Sequence, residues 1–228
     1  MNIAIIPARL GSKRIPRKNI KNFFDRPIIE YPIEQALKSG IFDNVFVSTD
    51  SKEIAMIAEN VGAEIPFLRP SELSDDLTST QQVISHAVQS VDKRIKFSNV
   101  CCMYPTSVFF NSEDLIKSYA YFQTRSSNYV FSATKISSNI LRGFTVEDES
   151  VKLLFENNIN KRTQDLKNVY QDAAQFYWGK RSTWLNNKEI INNFACPYIL
   201  ESKLITDIDE DEDWQLAELY FNSRNRNV

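Results

Sequence analysis

One histidine and three cysteines among 228 residues exclude several kinds of chemistry at the outset. No Ser/His/Asp or Cys/His constellation can be built without His86, so nucleophilic catalysis is disfavoured. His86 itself sits on a helix whose apolar stripe is Val83, Ile84, Ala87, Val88 and Val91, and it faces away from most of that stripe, which reads as a surface or packing position. Cys101, Cys102 and Cys196 cannot all pair and none has CxxC or Cys/His ligand spacing, so a reduced, cytoplasmic setting is expected. Cys101 and Cys102 lie in an apolar strand and read as small core fillers. The longest apolar run, Ile3 to Ala8, is far below the ~20 residues of a membrane span, and no basic segment precedes it as a secretory signal requires. Positive excess is missing too: 27 Lys and Arg against 29 Asp and Glu give a net charge of −2, which argues against a nucleic-acid partner, as the short apolar run argues against a membrane. Repeats, low-complexity tracts and linkers are absent, so residues 1–228 are expected to form a single domain.

What is present is an alternation. Asn2–Pro7, Val45–Thr49, Glu64–Leu68, Val100–Met103 and Tyr129–Ala133 read as short strands, with helical periodicity between them. One helical segment carries Ile33, Ala36 and Leu37 and stops at Gly40; another carries Ile54, Ile57, Ala58 and Val61 and stops at Gly62. Two more helices are expected over Ser79–Val91 and Asn111–Gln123. Apolar strands separated by helices imply parallel pairing, because parallel neighbours need a crossover. The fold class is therefore α/β, a doubly wound sandwich with a mainly parallel central sheet. The alternation weakens between Ile136 and Asn168, where Leu141–Glu156 suggests a hairpin-like excursion. It resumes with strands at Gln175–Gly179 and Ala195–Leu200 and a terminal helix presenting Trp214, Ala217 and Phe221 on one face.

Open α/β sheets bind ligands at the carboxyl ends of their strands, which directs attention to the loop after the first strand. There Arg9, Lys13, Arg14, Arg17 and Lys18 place five positive charges within ten residues, with Gly11 and Ser12 among them to let backbone N–H groups approach an anion. A polyphosphate is the matching ligand. A solvated basic loop is the plain alternative, since the run fits neither a Walker A pattern nor GxGxxG. A second feature shifts the balance: Asp207 and Asp209 precede the last helix and project to one side if the chain is extended, as hard oxygen ligands for Mg²⁺ on a nucleotide should. Glu210, Asp211, Glu212 and Asp213 are explained by the helix dipole alone. Arg69 lies between a strand and a Pro70 turn at the same sheet edge; it reads as a nucleotide contact, with a surface ion pair to Glu72 or Asp75 as the alternative. Asp75 and Asp76 read as turn or cap residues. In Phe176-Tyr177-Trp178, strand alternation puts Phe176 and Trp178 in the core and leaves Tyr177 outward.

At these positions the chain resembles the cytidylyltransferases that make CMP-activated nonulosonic acids, the CMP-sialate synthetase family, and in it the branch acting on pseudaminic acid. The matching segments are Ile6 to Arg9, Gly11 to Asn19, Val47 to Asp50, Phe67 to Asp76, Tyr104-Pro105-Thr106, Gln175 to Gly179 and Asp207-Ile208-Asp209. The resemblance implies a Rossmann-like nucleotidyltransferase fold and transfer of CMP from CTP to the anomeric hydroxyl of an acidic nine-carbon sugar, with release of pyrophosphate. By position it assigns Arg9, Ser12 and Lys18 to the triphosphate and Asn19 to nucleotide or phosphate. Arg69, Thr78 and Thr80 fall to the cytidine, Asp207 and Asp209 to Mg²⁺, and Tyr104, Gln175 and Tyr177 to the sugar. Arg9, Lys18 and the ion on Asp209 would stabilise the charge that develops on leaving pyrophosphate. The excursion at 136–168, with Leu153, Leu154 and Phe155, resembles the segment through which relatives dimerise, so a homodimer is expected. Three positions depart from the pattern. Leu10 replaces a common glycine, which raises the cost of any positive φ; Ala174 replaces another and narrows the sugar pocket by a methyl; Tyr104 stands where the sialate branch has glutamine. Two other readings remain at this stage: a cytidylyltransferase for legionaminate, sialate or an eight-carbon ulosonate, and a non-catalytic sensor of cytidine nucleotides.

Overall fold

A computed structural model describes residues 1–201 and 205–225. Its strands are β1 (Asn2–Pro7), the two-residue pair β2 (Asn22–Phe23) and β3 (Arg26–Pro27), β4 (Asn44–Ser48), β5 (Asn99–Met103), β6 (Tyr129–Ile136), β7 (Phe144–Glu147), β8 (Ser150–Leu153), β9 (Val169–Lys180) and β10 (Cys196–Ile199). Its helices are α1 (Glu30–Ser39), α2 (Lys52–Val61), α3 (Thr80–Asp92), α4 (Ser112–Gln123), α5 (Arg181–Leu185) and α6 (Asp211–Asn225).

Six strands make the central sheet in the order β10-β6-β9-β5-β1-β4. β1 pairs in parallel with β4 and β5, and β10 with β6, while β9 runs antiparallel between β5 and β6. The start of β9 therefore lies at the same sheet edge as the carboxyl ends of the other five strands, where an open α/β sheet builds its site. The expected strand over Glu64–Leu68 does not form. Pro66, with no N–H to give, interrupts it, leaving isolated bridges from Phe46 to Glu64 and Thr49 to Leu68.

Local signals account for the helix ends. Ser51 caps α2 by accepting from the Ile54 N–H, and Ser79/Gln82 and Asn111/Asp114 form reciprocal capping boxes at α3 and α4. Gly40 and Gly62 terminate α1 and α2 at φ 65° and 106°, a region costly for other residues. One core layer packs α1, α2, α4 and α6 against Ala4, Ile6, Val47, Met103, Phe176 and Trp178. The opposite face packs Ile84, Val88 and Val91 of α3 and Trp184 of α5 against Ile3, Ile5, Val100, Cys102 and Tyr177. Phe176 and Trp178 are in the core as expected, but Tyr177 is buried as well (1% exposed), because α3 and α5 cover the face to which alternation sends it.

Between β6 and β9, residues 137–168 leave the sheet after the register pair Ile136–Val169. Inside this segment β7 and β8 form a hairpin whose turn residues Asp148 and Glu149 both have positive φ. Phe144, Val146, Val151, Leu154 and Phe155 are exposed along it. Among the described residues no helix is long and apolar enough to cross a membrane.

Candidate active site

A cleft of about 480 Å³ opens at the carboxyl edge of the sheet, lined on one side by the basic loop after β1 and on the other by Asp207 and Asp209. The loop is tied down at both ends. The Leu10 N–H donates to Asp50 Oδ1 (3.1 Å), and Asn19, buried, donates Nδ2–H to the Arg9 carbonyl (2.8 Å). Asn19 thus lines the cleft while bracing the loop. Leu10 is not at positive φ, so the concern raised by its missing glycine does not apply; within the loop Arg17 takes the left-handed turn, φ 56°. The two ends of the chain meet here: Lys18 Nζ donates to the Ile208 carbonyl (2.6 Å) and pairs with Asp209 Oδ1 (3.3 Å), and Arg14 reaches the same oxygen at 2.8 Å. The neighbouring acidic residues behave as helix-end groups, Asp213 accepting from the backbone N–H groups of Asp209 and Glu210.

Asp207 is exposed at the cleft, yet the protein around it and the adjacent Asp209 carboxylate lift its pKa to about 6, against the pull of Lys18. Two like charges held this close suit a divalent cation. Among the described residues no group of three or more His, Cys, Asp or Glu converges, so a metal here has two protein carboxylates and needs phosphate and water oxygens for the rest. That donor set fits a hard cation delivered with a nucleoside triphosphate.

Arg69 is only 5% exposed and lines the cleft. Its Nε donates to Ser74 Oγ (3.2 Å), and one terminal nitrogen is buried with no partner in the described structure. Neither Glu72 nor Asp75 pairs with it; Asp75 instead accepts from Thr78 Oγ1 (2.6 Å) and from the Leu77 and Thr78 N–H groups. An unpaired buried guanidinium nitrogen beside a cleft is an incomplete site, because leaving the donor unsatisfied is costly. Burial pushes the Arg69 pKa down, opposed by Asp50. Ser12, Thr78 and Thr80 also line the cleft. Asp76, expected as a turn or cap residue, lies instead between Arg9 (2.6 Å) and Lys13 (2.5 Å). A carboxylate there occupies cations suited to phosphate.

Thr80 Oγ1 and the Tyr104 hydroxyl, 3.1 Å apart, divide this cleft from a second lobe of about 300 Å³ that both residues also line. Gln81, Asp172, Tyr177, Glu189, Ile190 and Ile191 complete the lobe. Tyr177 reaches it through its hydroxyl, which donates to Asp172 Oδ2 (2.8 Å), while its ring lies 5.2 Å from that of Tyr104. Burial pushes the Tyr104 hydroxyl up to about 12. Gln175 does not join them. Its amide accepts from the Phe109 N–H (2.9 Å) and donates to the Ala173 carbonyl (2.8 Å), so it braces backbone and lines neither lobe. The cause is a bulge: between Phe131–Tyr177 and Ala133–Asp172 the register shifts, so Ala173 to Phe176 face Ser132 alone. Ser132 Oγ accepts from the N–H groups of both Gln175 and Phe176. Alternation along β9 stops there, and Gln175, which the resemblance assigns to the sugar, is held on backbone groups instead. The Ala174 departure also has a backbone consequence, since this residue sits at φ 51° where glycine is at ease.

The reactive side chains excluded at the outset stay outside. Cys101 and Cys102 are fully buried with thiol pKa values raised by burial, and His86 packs edge-on against Phe67, its pKa lowered by burial and by Arg69.

A cationic loop facing a carboxylate pair across a cleft, at the carboxyl edge of a mainly parallel sheet, defines the class: an α/β protein whose cleft sets cations and carboxylates face to face. The comparisons narrow the class: the cytidylyltransferase family model matches residues 3–220, and the chain belongs to that family. It is 39% identical, over 96% of both chains, to a pseudaminic acid cytidylyltransferase of Campylobacter jejuni. It is 32% identical over 98% of its own length, and 53% of the relative's, to an N-acylneuraminate cytidylyltransferase of Escherichia coli. In fold it is similar to a CMP:2-keto-3-deoxy-manno-octonic acid synthetase solved with CTP, with a TM-score of 0.71 at 14% identity, covering 98% of this chain and 99% of that one.

Proposed function

We propose that the protein transfers CMP from CTP to the anomeric hydroxyl of pseudaminic acid, or a closely similar nine-carbon sugar acid, and releases pyrophosphate. The supporting observation is the opposition of Arg9 and Lys18 to Asp207 and Asp209 in one cleft, in a chain similar end to end to a pseudaminic acid cytidylyltransferase. The sugar oxygen forms a bond to the α-phosphorus as the bond from that phosphorus to the bridging oxygen breaks, and the hydroxyl proton is released. Arg9 and Lys18 hold the phosphates in line and stabilise the charge gathering on the leaving pyrophosphate. Arg69, Thr78 and Thr80 hold the cytidine end, and Ser12 and Asn19 support the phosphates. Asp207 and Asp209 would hold Mg²⁺, which when bound supplies Lewis-acid stabilisation of phosphate charge and lowers the pKa of a coordinated hydroxyl. This division of labour leaves no role for an imidazole or thiol, in keeping with the chain's composition. Tyr104 and Tyr177 border the sugar.

The protein acts in the cytoplasm, as a homodimer joined through the 136–168 excursion. The contiguous exposed side chains of Phe144, Val146, Val151, Leu154 and Phe155 support that arrangement. Sedimentation of the protein and of a Phe155→Glu variant tests it; a monomeric parent would end it. For the reaction, pyrophosphate release is assayed with CTP, Mg²⁺ and a panel of nonulosonic and eight-carbon ulosonic acids. Release with pseudaminic acid at the highest kcat/KM is expected. Release only with another acid reassigns the sugar, and CTP binding with no release on any acid leaves a sensor.

A further inference from the structure

We propose that Asp172 is a specificity-determining residue: its carboxylate accepts a hydrogen bond from an amide N–H on the sugar acid, with the acyl methyl against Ile190 and Ile191. The proposal rests on the reading above and names what the second lobe recognises.

The lobe differs in charge from the cleft it adjoins. Its described lining holds two carboxylates, Asp172 and Glu189, and no lysine or arginine, whereas the adjoining cleft sets Arg9, Lys13, Arg14, Lys18 and Arg69 beside the carboxylates of Asp75, Asp76, Asp207 and Asp209. An anionic group at close range is repelled by such a lining; a neutral donor is welcomed. The sugar's own carboxylate is therefore directed out of this lobe towards the cationic side, and a different part of the molecule enters.

Asp172 is half-buried. Oδ1 accepts the Ala174 N–H at 2.9 Å and Oδ2 accepts the Tyr177 hydroxyl at 2.8 Å, and no cation pairs with it among the described residues. Each carboxylate oxygen has acceptor capacity beyond one bond, so the group is oriented by its neighbours without being used up. Burial raises its pKa, as it should for an acceptor waiting without a counter-charge. Asp172 stands at the edge of the β9 bulge, and the residue that donates to its Oδ1, Ala174, sits at positive φ. Beside it Ile190, nearly buried, and Ile191, half exposed, form an apolar wall. An oriented acceptor next to an apolar wall matches an acetamido group, which offers an N–H and a methyl on one short arm. A plain hydroxyl would use only the first.

The test uses the full-length protein with CTP, Mg²⁺ and two sugar acids, one carrying acetamido groups and one with hydroxyls in their place. Asp172→Asn is expected to raise KM for the acylated acid at least tenfold while KM for CTP stays within about twofold and kcat changes less than KM. Its preference for the acylated acid falls towards one. An unchanged sugar KM, or an equal rise in the KM of CTP, overturns the proposal. Should the variant not fold, the parent protein decides: a kcat/KM at least tenfold higher for the acylated acid is expected, and equal values overturn the assignment. CTP binding with no turnover on any sugar acid is a different result, which defeats the reaction itself and this inference with it.

Discussion

On the proposed nucleotide side of the cleft, Arg9, Lys13, Arg14 and Lys18 all pair with carboxylates, those of Asp76 and Asp209, whereas the described lining of the second lobe holds Asp172 and Glu189 and no lysine or arginine. The first region is charged and self-neutralised; the second is acidic and braced by a strained turn. A polyanion entering the first must displace internal partners, so binding there is an exchange of ion pairs. If the second takes the sugar, as proposed, the sugar meets an Asp172 carboxylate already held by Ala174 and Tyr177. A net charge of −2 for the whole chain hides this contrast: one region sets cations against carboxylates, and the described lining of the other holds carboxylates alone.

The largest test of that contrast is Asp209→Asn. It removes a proposed metal ligand and the shared partner of Arg14 and Lys18, and turnover is expected to fall about 10²-fold or more, since stabilisation of the charge on the leaving phosphates carries much of such a reaction. The fold should persist, because Asp209 caps no helix and its carboxylate is partly solvated. Pyrophosphate release beside circular dichroism checks it; near-normal turnover would remove the metal assignment. Next comes Arg9→Ala, expected to weaken CTP by roughly 10- to 100-fold, the range of a charged hydrogen bond, with sugar KM within about twofold. Calorimetric titration showing unchanged CTP affinity would break the division into two regions.

The pH dependence is a third test. Asp207 titrates at about 6, above an ordinary carboxylate, so it is ionised at pH 7 and protonated as pH falls below 6. A cation must then displace a proton. Metal affinity measured with CTP present should be flat above about pH 7 and fall about tenfold for each unit below 6. Asp209→Asn removes the neighbouring charge and should move the inflection to lower pH. An affinity flat down to pH 5 would separate Asp207 from the metal.

The two regions were also unequally legible in the sequence. The nucleotide side is written as contiguous segments: five cations between Arg9 and Lys18, then Asp207 and Asp209 ahead of a helix, each at the end of a recognisable element. Sheet topology brings them together without any long-range fact that periodicity fails to supply. The second lobe is not written that way. β9 runs antiparallel, so its beginning, not its end, reaches the site edge, and Asp172 sits in a polar stretch with no strand signal. The bulge keeps Gln175, which the resemblance assigns to the sugar, on backbone groups, while Tyr177 follows the alternation onto a face that α3 and α5 cover, and no local pattern shows that cover. One signal was present: Ala174, where the resemblance leads one to expect glycine, is at positive φ and donates its N–H to Asp172. Asp76 was legible only as a turn residue, since nothing local shows that its turn folds back over the basic loop.

Asp76→Asn is the smallest and most discriminating change. Its carboxylate holds Arg9 at 2.6 Å and Lys13 at 2.5 Å, and these bonds keep its pKa below the usual carboxylate range, so the pairing persists across neutral pH. Because the three side chains are partly solvated, each pair is weak, and releasing them should tighten CTP only about two- to fivefold. The gain should shrink as salt rises, since screening weakens the internal pairs that the variant has already lost. Tighter binding without a change in sugar KM would mark Asp76 as a competitor of phosphate. Weaker CTP binding would give it the opposite part: a brace that aims Arg9, so that the cationic end of the cleft, like the acidic end, is preorganised rather than merely occupied.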